Sequence, residues 1–184
     1  MSGTRSRRIS ILTVLVLLLG VALPACKLFK SKKANKEALA FNEALVEHNK
    51  SINQMGRQLG VKIGQRLAGK DDVDDGDLED GVEAIQAKIK QVRAAVKAMK
   101  VPDHPTARAL HKAYLTFLDE ETRLVGRIED VVEVVTTPDP RKRRQQRKLL
   151  EILRDIQSSE KKSLTKLRKV QHRFARAHNI GLRM

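Results

Sequence analysis

Seven apolar side chains, Leu78, Val82, Ile85, Ile89, Val92, Val96 and Met99, recur at alternating steps of four and three residues. A strand turns every second residue to the same face, so only a helix brings all seven to one side. One amphipathic helix cannot cover such a stripe by itself, and the chain must fold by packing several of them. Three further segments repeat the pattern. The first, about 34–69, carries Ala38, Phe41, Leu45, His48, Ile52, Met55 and Leu59, with Gly69 as its stop. The third, about 104–136, opens on Asp103 as a capping acid and Pro105, then presents Leu110, Tyr114, Phe117, Leu124, Ile128, Val131 and Val135. The fourth, about 139–178, has Asp139 as cap and Pro140 at its first position, followed by Leu149, Leu153, Ile156, Leu167, Val170 and Phe174, and frays near Gly181. With the second helix at about 77–100, no alternating strand pattern competes. The expected fold is all-α, an antiparallel up-down-up-down four-helix bundle over residues 34–180, because short loops make successive helices antiparallel neighbours.

Composition narrows the functions open to such a bundle. A single cysteine excludes an intramolecular disulfide framework, a thiolate zinc cluster and a C-x-x-C-H haem attachment. Four Phe, one Tyr and no Trp leave few aromatic platforms for stacking sugars or single-stranded bases. No nucleophile elbow, zincin pair or glycine-rich nucleotide loop is present, so a non-catalytic protein without a cofactor is expected.

Residues 1–26 differ from the rest. Arg5, Arg7 and Arg8 form a basic start without acids, Ile9 to Ala22 an apolar stretch, and small Ala25 precedes the lone Cys26. Leu23-Pro24-Ala25-Cys26 resembles the lipobox of bacterial lipoprotein precursors. The resemblance covers this segment alone, and no family is recognised for the body. It implies a signal peptide over 1–25, a lipid-bearing Cys26 at the start of a basic tether over 26–33, and anchoring of the body in the bacterial cell envelope, facing the periplasm. Two or three acyl chains anchor a protein that one chain would hold only reversibly. In that family an Asp after the Cys favours the inner membrane. Lys27 stands there instead, which implies the outer membrane. Two other readings stay open at this point, a cleaved soluble product and an uncleaved anchor. The stretch Ile9 to Ala25 is just long enough to span a bilayer, and the bases that follow it favour a cytoplasmic body on the positive-inside rule.

Charge is the second strong signal, with 37 Lys and Arg against 22 Asp and Glu and a formal net charge of +15. Lys27, Lys30, Lys32, Lys33 and Lys36 meet Lys162, Lys166, Arg168, Lys169, Arg173 and Arg176 at the anchored end of the expected bundle. This basic foot, with Lys166, Lys169, Arg173 and Arg176 as its chief contacts, is expected to meet anionic phospholipid or lipopolysaccharide headgroups. At the opposite end Arg141, Lys142, Arg143, Arg144, Arg147 and Lys148 face an acidic loop of Asp71, Asp72, Asp74, Asp75, Asp77, Glu79 and Asp80, and mutual neutralisation is expected there. The alternative for this basic cluster is a nucleic-acid contact in a cytoplasm-facing protein, which the envelope reading disfavours. No protein partner is identified.

The remaining motifs carry less. Gly64 to Asp71 imitates a phosphate-binding loop, but it follows a helix and ends in Asp where a hydroxyl belongs. Gly56, Gly60 and Gly64 form a smooth stripe suited to close helix packing. Asn49-Lys50-Ser51 matches a glycosylation acceptor inside a helix. His48 falls on the first seam at the expected level of Glu160, with His111 one turn away, so a buried His and Glu pair is expected. A metal or haem pocket using His48, Glu160 and His111 is the alternative.

Overall fold

The computed structural model describes residues 28–29, 36–69, 73–137 and 142–182. Its elements are β1 (Leu28–Phe29), α1 (Lys36–Leu67), α2 (Asp75–Ala98), α3 (Pro105–Thr136), α4 (Lys142–Ala177) and β2 (Gly181–Leu182). The protein is all-α, with four helices as the periodicity predicts. Among the described residues the one sheet-like feature is an antiparallel ladder pairing Leu28 with Leu182 and Phe29 with Gly181. A two-residue ladder is too short to carry an alternating pattern, so the sequence offers no sign of it.

Local chemistry sets where the helices begin and end. Asp74 caps α2 by accepting from the Asp77 amide at 2.7 Å, which starts the helix two residues ahead of its expected position. The cap of α3 is His104 and not Asp103: His104 Nδ1 accepts from the Thr106 amide at 3.2 Å, while Asp103 turns outward to Arg108 at 2.6 Å. Gly69, at φ 73°, closes α1 with its amide donating to the Arg66 carbonyl at 3.0 Å. Asp139 and Pro140 lie outside the described residues. Gln145 of α4 instead reaches back and donates to the Val134 and Thr137 carbonyls, which the end of α3 leaves without helical partners. The expected fraying near Gly181 is absent. Asn179, at φ 55°, ends α4 in a left-handed turn, Ile180 donates to the Ala175 carbonyl at 2.8 Å, and the chain passes directly into β2.

One core unites the helices. Six of the seven seam residues of α2 are buried, and Met99 packs against them half-exposed. α3 is the hub, touching α1, α2 and α4, and α2 also packs on α1. Among the described residues no Cα of α1 comes within 8 Å of one in α4, so those two helices meet only through side chains. Phe41 and Phe174 meet between them with ring centres 5.9 Å apart and planes tilted by 60°, and Gln171 donates to Asn42 at 3.0 Å in the interior. Along α1 five of the seven expected seam residues, Ala38, Phe41, Leu45, Ile52 and Leu59, are buried; His48 and Met55 are half-buried, and Asn42, Asn49 and Gly56 widen the buried face. Gly56, Gly60 and Gly64 are also buried, which lets neighbouring groups close on the backbone there.

Candidate functional site: a basic helix face and a polar interior

The outer face of α4 follows from its composition. Within Lys142–Ala177 stand thirteen Lys and Arg against Glu151, Asp155 and Glu160. Leu149, Ile152, Leu153, Ile156, Leu164, Leu167 and Phe174 take the buried stripe, so the bases fall on the solvent side. Lys162, Lys166, Lys169, Arg173 and Arg176 are exposed, and none makes an ion pair or hydrogen bond among the described residues. Arg168, half-buried, has a buried Nε without a partner. Arg168, Lys169, His172, Arg173 and Arg176 line a shallow depression of about 430 Å³ on this helix. Lys36, at the start of α1, is exposed too. Cys26, Lys27, Lys30, Lys32 and Lys33 lie outside the described residues.

The β1–β2 ladder sets the residues that follow α4 against Leu28 and Phe29. Leu28 pairs with Leu182, five residues beyond the end of α4.

The other basic cluster has a different environment from the one expected. Arg144, Arg147 and Lys148 are exposed and meet no acid among the described residues; Arg141 and the side chains of Lys142 and Arg143 lie outside the description. Two of the acids are taken up nearer home, Asp77 by Lys62 at 2.7 Å and Asp75 by Arg66 at 2.8 Å, while Asp71 and Asp72 lie outside the described residues. The reason is proximity: a short turn joins α1 to α2, so the last turns of α1 reach those acids first. The ammonium of Lys62 holds the Asp77 carboxyl below its usual range, first by its hydrogen bond and then by its charge.

In the interior, the residue that answers Glu160 is Glu121 and not His48. Both carboxyls occupy inward positions between α3 and α4 while keeping some exposed surface. Burial pushes Glu121 up to about 8, with the neighbouring Glu160 adding to the effect, and burial pushes Glu160 up to about 7. Burial and the Glu121 charge also push the Tyr114 phenol up. Tyr114 Oη, Asn42 Nδ2 and Asn49 Oδ1 are buried without hydrogen-bond partners. His111 is engaged elsewhere, donating from Nε2 to the Val96 carbonyl at 2.8 Å. Among the described residues no three His, Cys, Asp or Glu side chains group in a way that could hold a metal. Burial thus favours the protonated form of both carboxyls. The sequence held a signal for Glu121, since it fills the missing step of the α3 seam between Phe117 and Leu124.

A second polar cluster, with no sequence signal, sits where α3 begins and α4 ends. The Thr106 hydroxyl lies 2.7 Å from His104 Nδ1 and 3.3 Å from His178 Nε2. Because His104 Nδ1 already accepts the Thr106 amide, it carries no proton; the hydroxyl donates to it and accepts from His178. The two rings meet edge to face at 4.6 Å, and Phe174 packs on His178 at the same separation. Burial, and then the proximity of His104, hold His178 below its usual value. Among the described residues no helix is long and apolar enough to cross a membrane. No protein-family model, no curated protein and no solved structure matches this chain.

Proposed function

We propose that this chain is a lipid-anchored protein of the bacterial cell envelope, held by acyl groups on Cys26 and facing the periplasm, outer membrane in preference to inner. Its body is an antiparallel up-down-up-down four-helix bundle in a structural, binding or accessory role without catalysis, and the basic face of α4 rests on anionic phospholipid or lipopolysaccharide headgroups. Antiparallel order is supported by the cross-helix partners. Lys62 and Arg66 of α1 meet Asp77 and Asp75 of α2; Gln86 and Arg93 of α2 meet Glu129 and Asp119 of α3; Arg127 and Thr106 of α3 meet Asp155 of α4 and His178 just past its end. In each pair of helices the numbers rise on one partner as they fall on the other. The observation that carries the functional reading is the set of exposed, unpaired bases from Lys162 to Arg176, at the end of α4 that the ladder ties to the residues following Cys26. Each base close to an anionic surface contributes about 1 kcal/mol of attraction, so five of them amount to a strong orienting force.

Two measurements test the two halves. The protein extracted from its native membrane should yield a mature chain that starts at acylated Cys26, and a Cys26→Ala variant should not. An intact N-terminus with free Cys26 would instead leave a membrane-spanning anchor. The full Cys26→Ala chain should float with phosphatidylglycerol vesicles far more than with zwitterionic ones, and Lys169→Gln/Arg173→Gln/Arg176→Gln should erase the difference. Equal flotation of the unsubstituted face with both lipids would sink the headgroup reading.

A further inference from the structure

Between α3 and α4 runs an open groove of about 460 Å³, a volume in the range of small-ligand sites. On α3 it extends from Ala109 to Glu120 and on α4 from Ser159 to Val170, about 16 Å along each helix axis. Its floor is apolar, made by Phe117 and Leu167 from the core together with the half-buried Ala113 and Val170. The small residues Ala109, Ala113 and Ser163 leave the space that larger side chains would have filled. Lys112, Lys162 and Lys166 stand on the rim. All three are exposed, and none makes an ion pair among the described residues. The acid on the rim, Glu120, is bound to Arg123 at 2.9 Å.

A long apolar trough with unanswered positive charge along its edge matches an elongated apolar molecule that ends in one anionic group. A globular apolar ligand would not use the length, a polar anion would not cover Phe117 and Leu167, and a neutral chain would leave three ammonium groups unmatched. We propose that the α3–α4 groove binds a single-chain anionic amphiphile of the fatty-acid class, with the acyl chain along Ala113, Phe117, Leu167 and Val170 and the carboxylate among Lys112, Lys162 and Lys166. The groove shares Lys162 and Lys166 with the proposed headgroup face, but the inference does not require the protein to sit on a membrane: the ligand is a monomer taken from solution. Seated there, it would cover apolar surface that is otherwise open to water and neutralise the rim.

The test uses the full Cys26→Ala chain without vesicles, with dansyl-undecanoate as probe below its micellar concentration and hexadecanoate as competitor. One saturable site, emptied by hexadecanoate and about tenfold less readily by hexadecanol, is the expected result, since the lysines together discriminate the charged head. Ala113→Trp should remove the site by filling the trough. Ala109→Trp, on the exposed lip where folding is not at risk, should weaken it several-fold. Lys112→Gln/Lys162→Gln/Lys166→Gln should keep the site and lose the preference for hexadecanoate. Binding that both tryptophan variants leave intact, including binding to the apolar N-terminal stretch, would overturn the proposal, as would the absence of a saturable site. Arg173→Gln/Arg176→Gln should leave probe binding unchanged while reducing vesicle flotation, so the groove and the headgroup face fail or succeed separately.

Discussion

Glu160→Gln tests the interior acid pair directly. In the unfolded chain Glu160 titrates near 4.5, and in the fold near 7. A carboxyl raised in this way favours folding while both states are protonated, and that advantage is lost as pH climbs from the unfolded value through the folded one. Each pH unit between the two values corresponds to about 1.4 kcal/mol, which gives about 3 kcal/mol; solvent reaching the partly exposed side chain trims this to about 2 to 3 kcal/mol. Glutamine keeps the shape and cannot ionise. Relative to wild type, Glu160→Gln should therefore be near neutral in stability at pH 4.5 and about 2 to 3 kcal/mol more stable at pH 9, with the gap opening between. Glu121→Gln should behave alike with a larger gap, its folded value being about 8. The double variant should gain less than the sum, because part of the cost at Glu121 is the charge of Glu160. Urea unfolding of the Cys26→Ala chain, followed by far-ultraviolet circular dichroism from pH 4.5 to 9, measures all four proteins. A constant separation between wild type and Glu160→Gln across that range would refute the reasoning.

Three further outcomes follow from the packing. Gln171→Ala strips Asn42 of its one interior partner and leaves the whole amide unsatisfied, so it should cost about 2 kcal/mol in urea unfolding. Gly126→Ala meets nothing within 4 Å and should stabilise α3 by up to about 1 kcal/mol, whereas the new Cβ of Gly81→Ala would stand 2.9 Å from Leu59 Cδ1 in the core and should forfeit that gain; thermal melts compare the two. His178, held below its usual value in the fold, contributes stability that is complete above pH 6.5 and declines as the pH falls below it. His178→Gln should flatten the stability profile on the acid side of 6.5, and a profile as steep as wild type would count against the cluster with His104 and Thr106.

The helices are legible from sequence because what specifies them is local. The alternation of four and three from Leu78 to Met99 and the breakers at Gly69 and Pro105 act within a turn or two, and they place every helix to within about three residues of its observed ends. The abundance of bases on α4 is equally a property of the chain, since the apolar stripe must turn inward and leaves the charges nowhere else to go. What periodicity leaves loose is rotation. Successive residues stand about 100 degrees apart, so a turn of the face by less than one residue buries Asn49 and leaves His48 half-buried while Leu45 and Ile52 stay inside.

Register between helices is looser still, because it depends on loop lengths and on how side chains interlock, neither of which leaves a repeating mark in the sequence. Only tertiary structure therefore decides that Glu160 answers Glu121, that Lys62 and Arg66 take Asp77 and Asp75, two of the acids expected to face the Arg141 to Lys148 cluster, and that Thr106 and His178, 72 residues apart, share a hydrogen bond. The same holds for the pairing of Leu28 with Leu182, which joins the two ends of the described chain. Local forces choose helices and their inward faces; which inward residues then meet is a property of the assembled packing, where a shift of one turn exchanges every partner while leaving each helix as it was.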